Sequence, residues 1–261
     1  MTTLSADQPP LSLAQQDPAA LGGRLSVLYR QRADHIRLEE LLRQLDATPL
    51  AGQRPILLDL YRLVFPHAFA EESVLWPVLR RVLPEGEELT LQVEQEHQEV
   101  NEVVSRLEDL EITDPRREPL LQRLAGLLRE DVRDEEDELL PGLQQQLTLG
   151  QLRRLGLLWE VVRRVSPTRA HPVVARRPPG NVVAALPLTA IDRTRDLLER
   201  VALRRAPALA SWLAALDQEL GRAARRVERL PIMRAGEHAS TRVEAAGGSR
   251  TGGHAVGTDR G

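Results

Sequence analysis

Apolar residues recur at three- and four-residue intervals between residues 19 and 147, which is the period of amphipathic helices. Four long helices are predicted, over about 19–46, 54–82, 85–111 and 116–147. Thr48-Pro49, Pro84 and Asp114-Pro115 lie at the breaks between them, where proline favours a helix end. Long helices joined by short breaks pack as antiparallel neighbours. The sequence therefore predicts an all-α fold built on an up-down-up-down four-helix bundle.

Composition divides the rest of the chain into three segments, one before the bundle and two after it. Residues 1–18 contain three prolines and are predicted to form a flexible lead, and residues 19–147 the bundle. Residues 148–230 are predicted to form a helical extension, with helices over about 149–165, 188–204 and 207–229 and a proline-rich connector at 176–180. Residues 231–261 are rich in Gly, Ser, Thr and Ala, which predicts a disordered tail.

Charge is distributed unevenly along the chain. Residues 1–150 carry 15 Arg and 28 acids, a net charge of −13, whereas residues 151–234 carry 17 Arg and 7 acids, a net charge of +10. A basic segment can bind nucleic acid, but this one has few aromatic residues and no recognisable reading motif. We therefore expect the extension to dock onto the acidic bundle and do not expect a nucleic-acid partner.

Composition excludes several classes of site. The chain has no Cys, which excludes disulfides, thiolate zinc sites and cysteine catalysis. The first twenty residues lack the basic start and apolar run of a signal peptide, and no apolar stretch approaches the roughly 20 residues of a membrane span. We expect a cytoplasmic protein without a membrane partner. The oligomeric state is left open.

A repeated motif gives the first indication of chemistry. Residues 71–79 and 135–143 both read Glu-Glu-x-x-Leu-x-Pro-x-Leu and start 64 residues apart. His67 lies four residues before the first Glu pair, and Asp131 four before the second. One helical turn separates each of these residues from its Glu, so both side chains can point at one spot. The repeat predicts a metal-ligand pair presented by each of two helices.

Each predicted helix also directs a polar side chain into the core. The inward polar residues are His35, His67, Glu71, His97, Asp131 and Glu135. Unpaired buried carboxylates cost several kcal/mol each, and a pair of cations would compensate for them. Imidazole and carboxylate are ligands for iron, manganese and zinc. A single core histidine is more often structural, but three on successive helices favour a metal site.

The helical period separates the two residues of each Glu pair. Glu71 and Glu135 face inward, whereas Glu72 and Glu136 lie about 100° away, toward the rim. Glu135 is therefore favoured over Glu136 as a ligand, by this geometry alone. Four further acids on the third helix are interpreted as a solvated face: Glu94, Glu96, Glu99 and Glu102.

These motifs resemble the hemerythrin-like HHE cation-binding family. The matching residues are His35, His67-Ala-Phe-Ala-Glu71 and His97, together with the Leu75-Trp-Pro77 and Leu139-Leu-Pro141 segments. The resemblance covers about 20–147. The stretch from Arg177-Pro-Pro-Gly-Asn181 to Asp192-Arg-Thr-Arg-Asp196 resembles a C-terminal extension of some actinobacterial members.

Two residues depart from the family pattern. Asp131 stands where the family usually has the fourth-helix His, and Asn101 where oxygen-carrying members have a second third-helix His. The resemblance implies two iron ions bridged by Glu71 and Glu135. One would be bound by His35 and His67, and the other by His97 and Asp131, with Asn101 as a further candidate. This oxygen-rich second position disfavours reversible oxygen carriage, and favours one-iron occupancy or chemistry with peroxide or nitric oxide.

The resemblance implies a cytoplasmic, non-haem di-iron or mixed-metal protein that binds or responds to oxygen, peroxide or nitric oxide, in oxidative or nitrosative stress. The six residues would be metal ligands and not acid–base catalysts. Three alternatives stay open. They are a peroxide-consuming di-iron enzyme, a sensor or iron-handling module whose basic extension carries the output, and a degenerate bundle without metal. The sequence does not decide whether the protein is an enzyme.

Overall fold

A computed structural model describes residues 11–204 and 207–242, without the side chains of 203, 204 and 207–210. All regular elements in this part of the chain are helical, which confirms the predicted all-α bundle with additional helices. The bundle comprises α1 (Val27–Asp46), α2 (Gln53–Ala70), α3 (Trp76–Val82), α4 (Gly86–Glu108), α5 (Arg117–Asp134) and α6 (Leu140–Gln146). The extension comprises α7 (Leu149–Arg164), α8 (Gly180–Arg204) and α9 (Pro207–Glu228).

Two π-helical segments join the shorter helices into longer ones. Glu71–Leu75 connects α2 to α3, and Glu135–Leu139 connects α5 to α6. They are the first five residues of the two sequence repeats. A π segment adds one residue to a helical turn and is often found at functional sites. It therefore changes which consecutive side chains point into the core. The second long helix is not ended by Pro66 or Pro77.

The first helix starts later than predicted. The structure begins α1 at Val27, not at about residue 19, because Gly22 and Gly23 adopt left-handed backbone with φ of 86° and 80°. Before it, the 3₁₀ turn Leu13–Gln15 places Leu13 fully inside the core. Residues 11–18 therefore pack on the bundle instead of forming part of a flexible lead, and residues 1–10 lie outside the described residues.

Two apolar cores lie above and below a polar level of the bundle. One contains Leu38, Phe65, Val100 and Leu128. The other contains Leu28, Ala70, Val93 and Leu139. On each long helix, the inward histidine or carboxylate falls between the residues of these two cores. The polar level is thus closed on both sides by packed apolar side chains.

The extension packs against the bundle and adds to its core. Leu152 and Trp159 of α7 belong to the same core as Leu28. Helices α8 and α9 form a hairpin over a small core that includes Ala184 and Leu188. Helix α8 begins at Gly180, not at 188, and continues through Pro187. Packing of Ala184 and Leu188 on either side outweighs the hydrogen bond that proline removes.

The bundle and the extension each contribute arginines to the ion pairs between them. Arg177 of the extension contacts Glu94 at 2.7 Å, whereas Arg62 of the bundle contacts Asp196 at 2.9 Å. Glu94 is fully buried and also pairs with Arg80, so its assignment to a solvated face was wrong. A buried acid is tolerated there because two guanidinium groups hold it.

The structure describes only the first part of the predicted disordered tail, residues 231–242. Residues 231–234 form a 3₁₀ turn, and Met233 O accepts a hydrogen bond of 2.9 Å from Ala175 N. Residues 243–261 lie outside the described residues. No helix in the described part of the chain is both long and apolar enough to span a membrane.

Candidate metal centre

The structure brings all six predicted ligands together, and all six are buried. They fall into two overlapping groups whose ligand atoms lie within 4.8 Å of one another. The first group is His35, His67, Glu71 and Glu135, and the second is His97, Asp131 and Glu135. They resemble the two sets that the family resemblance implied, except that the second group contains neither Glu71 nor Asn101. The grouping shows that the six residues could hold metal; their role as ligands stays a prediction.

The first group joins α1 and α2 to the two π segments. His35 Nε2 lies 3.1 Å from Glu135 Oε2, and His67 Nε2 lies 2.9 Å from Glu71 Oε1. Glu71 and Glu135 are the first residues of their π segments and are fully buried. Two imidazoles and two carboxylates therefore converge from three long helices.

The second group depends on α4 and α5. His97 Nε2 lies 3.3 Å from Asp131 Oδ1 and 3.7 Å from Glu71 Oε2. Asp131 is 8% exposed and points into the bundle rather than to solvent. Glu135 belongs to both groups and Glu71 contacts histidines of both, so either carboxylate has the position of a bridge between two cations.

An outer set of carboxylates orients the three imidazoles. His35 Nδ1 lies 2.8 Å from Glu136 Oε1, and His97 Nδ1 lies 3.0 Å from Glu72 Oε1. Because an ionised carboxylate only accepts hydrogen bonds, Nδ1 is the donor and Nε2 is left facing the cluster. Glu72 and Glu136 were predicted to lie toward the rim, and the structure places them behind the imidazoles, outside both groups of converging ligand atoms. Both residues are buried.

His67 is oriented by a different residue, which sequence reasoning missed. Its Nδ1 lies 3.2 Å from Asp34 Oδ2, and Asp34 lies 3.5 Å from Arg163 Nη1 of α7. Burial raises the pKa of Asp34, but His67 and Arg163 outweigh it and hold that pKa below its usual value. Helix α7 thus supports the metal centre directly. The position of Asp34 next to His35 was the only signal in the sequence.

Electrostatics favour a cation at the cluster. Burial raises the pKa of Glu135, and the charges of Glu71 and Asp131 raise it further, to about 8. Burial lowers the pKa of His35, but Glu135 and Glu136 outweigh it and raise that pKa to about 9. The carboxylates repel one another in the low-dielectric interior, and a bound cation would relieve that repulsion.

The converging nitrogen and oxygen atoms of the cluster contact one another but have no other hydrogen-bond partner. Within the described residues this holds for His35 Nε2, His97 Nε2, Asp131 Oδ1 and both carboxylate oxygens of Glu71 and of Glu135. Buried polar atoms are normally satisfied. Orphaned imidazole nitrogens and carboxylate oxygens that converge on one volume form a nitrogen–oxygen donor set that suits iron, manganese or zinc. The residues present therefore fit a metal centre.

Asn101 was a further candidate ligand from the family resemblance, but its side chain bonds to other groups. Its Nδ2 donates to His97 O at 2.9 Å, and its Oδ1 accepts from His171 N at 2.9 Å. Both ends of the amide are occupied, so Asn101 is not available as a ligand. It connects α4 to the segment between α7 and α8.

A small apolar cavity adjoins the first group. It has a volume of about 20 Å³ and reaches His35, His67 and Asp131. The other walls include Leu38, Leu63, Val64, Leu128 and Val132. A cavity of this size has room for roughly one water-sized molecule. It can therefore hold a diatomic molecule beside the cluster.

Comparison with known proteins agrees with this geometry. Residues 26–143 match the family described as the hemerythrin HHE cation binding domain. An uncharacterized hemerythrin-like protein of Schizosaccharomyces pombe is 28% identical over 135 residues, which cover 51% of this chain and 66% of that relative. No solved structure matches the chain. Residues 26–143 thus match the hemerythrin HHE cation-binding family, and additional helices follow this segment.

Proposed function

We propose that the domain holds two iron ions and that a small molecule, either a diatomic gas or peroxide, binds beside them. His35 and His67 would hold one ion, and His97 and Asp131 the other. Glu71 and Glu135 would bridge them. The observation that carries the proposal is the set of orphaned nitrogen and oxygen atoms that converge in the core.

Several features would position this centre. The outer carboxylates Glu72, Glu136 and Asp34 fix the tautomer and rotation of the three imidazoles. The apolar cores above and below exclude water from the ligand atoms. When bound, iron supplies open coordination positions and redox chemistry. The protein's own contribution is a preorganised set of ligand atoms in a buried site.

The apolar cavity supports the choice of a small, weakly polar ligand. Its volume of about 20 Å³ excludes organic substrates, and its walls are mainly aliphatic, with polar groups only on the side of the cluster. Oxygen and nitric oxide fit this size and polarity. The cavity reaches His35 and His67, so a ligand there would lie beside the first group.

Asp131 favours a second candidate, the consumption of peroxide. Its carboxylate lines the same cavity and replaces a neutral imidazole with an acid. A carboxyl group at that position can hold or release a proton next to a bound peroxide. A protein that only carries a gas does not need this group. Turnover of hydrogen peroxide by the iron-loaded protein would favour this candidate over a binding protein or sensor.

The test uses the full chain loaded with iron under anaerobic conditions. We expect close to two iron ions per chain, and a change in absorbance when nitric oxide or oxygen is added. Val64→Leu adds a methylene group to the cavity wall. It should weaken gas binding while iron content is kept. Gas binding that is unchanged in Val64→Leu would place the ligand elsewhere, and a protein without bound iron would contradict the proposal itself.

A further inference from the structure

A wide cleft lies where the extension meets one end of the bundle. Its volume is about 790 Å³, and its walls come from the start of α2, the loop between α4 and α5, residues 169–173, α8 and α9. None of the six predicted ligands of the metal centre lines it. The cleft is therefore a separate feature, which the proposed gas or peroxide chemistry does not use.

The cleft wall carries an excess of positive charge. Seven arginines and four carboxylates line it. Three of the four acids already have a cationic partner on the same wall: Arg54 for Glu108, Arg195 for Asp217 and His171 for Glu228. Asp109 is the fourth acid. The charge that remains unneutralised on this wall is thus mainly arginine.

Arg117 is the most unusual of these arginines. It is only 8% exposed, and within the described residues no carboxylate lies within 4 Å of it. Its Nη1 donates to Leu107 O and Leu110 O at 2.9 and 3.2 Å, but its buried Nε has no hydrogen-bond partner. A guanidinium stays charged even when it is buried. A buried cation without a counter-ion is costly, and an anion in the cleft would compensate for it.

Two further arginines that line the cleft are exposed. Arg225 lies in the last turn of α9 and Arg229 directly follows the end of that helix, and both line the cleft. Neither has an ion pair among the described residues. Unpaired guanidinium groups that line the same cleft as Arg117 have the chemistry of a phosphate site, because each group can donate two parallel hydrogen bonds to an oxyanion.

We propose that this cleft binds a compact polyanion with two or more phosphate groups, held by Arg117, Arg225 and Arg229. Its volume lies within the range of small-molecule sites. No Phe, Tyr or Trp is among the described residues that line it. Nucleobases bind to proteins largely by stacking on such rings. The lining therefore favours a non-aromatic phosphorylated molecule over a nucleic acid.

Titration of inorganic tripolyphosphate into the full chain, followed by calorimetry at constant ionic strength, tests the proposal. We expect saturable binding at one site. The double variant Arg225→Gln, Arg229→Gln should weaken it by about tenfold or more, because two charge-assisted contacts are lost. Both side chains are exposed, so folding should be unaffected, as circular dichroism would verify.

Arg226→Gln is the matched control. Arg226 is exposed on the same helix but does not line the cleft, so this variant should bind tripolyphosphate with the Kd of the wild type. An equal loss of affinity in Arg226→Gln would show unspecific attraction and overturn the proposal. So would the absence of saturable binding, or binding of a single-stranded oligonucleotide but not of tripolyphosphate.

Discussion

Trp159 packs edge-on against His67, with ring centroids 5.3 Å apart and an angle of 89° between the ring planes. Trp159 lies on α7, outside the segment that matches the family, and His67 is a predicted metal ligand. Arg163, one turn later, stacks on the same indole at 5.2 Å. The first helix of the extension is therefore part of the wall around the candidate metal centre.

This contact gives a direct optical reporter of metal binding. Trp76 stacks on His97 at 6.4 Å, whereas Trp212, the third tryptophan of the chain, is 62% exposed. Bound iron should quench the fluorescence of Trp159 and Trp76 because both rings lie next to ligand histidines. Iron titration should thus remove most of the emission from buried tryptophan. In a Trp212→Phe variant the fractional quenching should increase. Emission that is unaffected by iron would argue against the assigned site.

The outer carboxylates should matter for affinity, although they are not ligands. Glu136→Gln keeps the shape of the side chain but removes the negative charge that accepts from His35 Nδ1. Loss of such a partner typically weakens metal affinity by about 10–100-fold. Competition with a chelator would measure this change. Glu138→Gln lies two residues away on the exposed side and should have no effect. Equal affinities in the two variants would show that Glu136 does not position the imidazole.

Asp131 should determine how many ions are bound. It is the nearest carboxylate to His97 Nε2, at 3.3 Å, and Asp131→Asn removes its charge while it keeps its size. We expect the variant to lose the ion held by His97 and to retain the one held by His35 and His67. Elemental analysis of the purified protein would measure the ratio of iron to chain. An unchanged ratio would mean that Asp131 is not required for the second position.

His171 should make the stability of the extension sensitive to alkaline pH. Burial lowers its pKa, but contacts of 3.0 Å to Asp192 and 2.9 Å to Glu228 outweigh burial and raise that pKa to about 9. The folded protein thus holds the proton more tightly than the unfolded chain does. The resulting stabilisation is complete below about pH 6.5 and is lost as the pH rises through about 9.

The measurement is the free energy of unfolding of the metal-free protein between pH 6 and 10. Wild type and His171→Gln should differ most at the acidic end and converge at the alkaline end. The histidines of the metal centre are present in both proteins, so their titration cancels in the difference. A gap between the two curves that is constant with pH would show that His171 contributes packing but not charge.

The ligands could be predicted from the sequence because each lies on the inward arc of an α-helix or at the first position of the π segment that continues it. His35, His67 and His97 follow a simple helical period, and the structure brings them together with Glu71 and Asp131. What the period could not show was the outer set of carboxylates. Glu72 and Glu136 lie on the π segments of the two repeats, and each contacts the imidazole of a residue on another helix.

Tertiary packing explains the other differences. Asn101 was a candidate ligand, but its amide is held by a segment 70 residues later in the chain. Glu94 was assigned to a solvated face, but Arg177 of the extension forms an ion pair with it. Both contacts join residues far apart in sequence, and helical periodicity carries no information about them. The charge asymmetry indicated that the extension would meet the bundle, but not which residues would pair.

The most direct test of the central claim is the metal content of His67→Ala compared with that of the wild type. His67 is buried, and its Nε2 faces Glu71 at 2.9 Å. Its loss should remove at least half of the bound iron and lower the melting temperature of iron-loaded protein, because bound metal stabilises the folded state. His238→Ala changes a histidine outside both ligand groups and should retain all the iron. Full iron content in His67→Ala would contradict the assignment of this cluster as the metal centre.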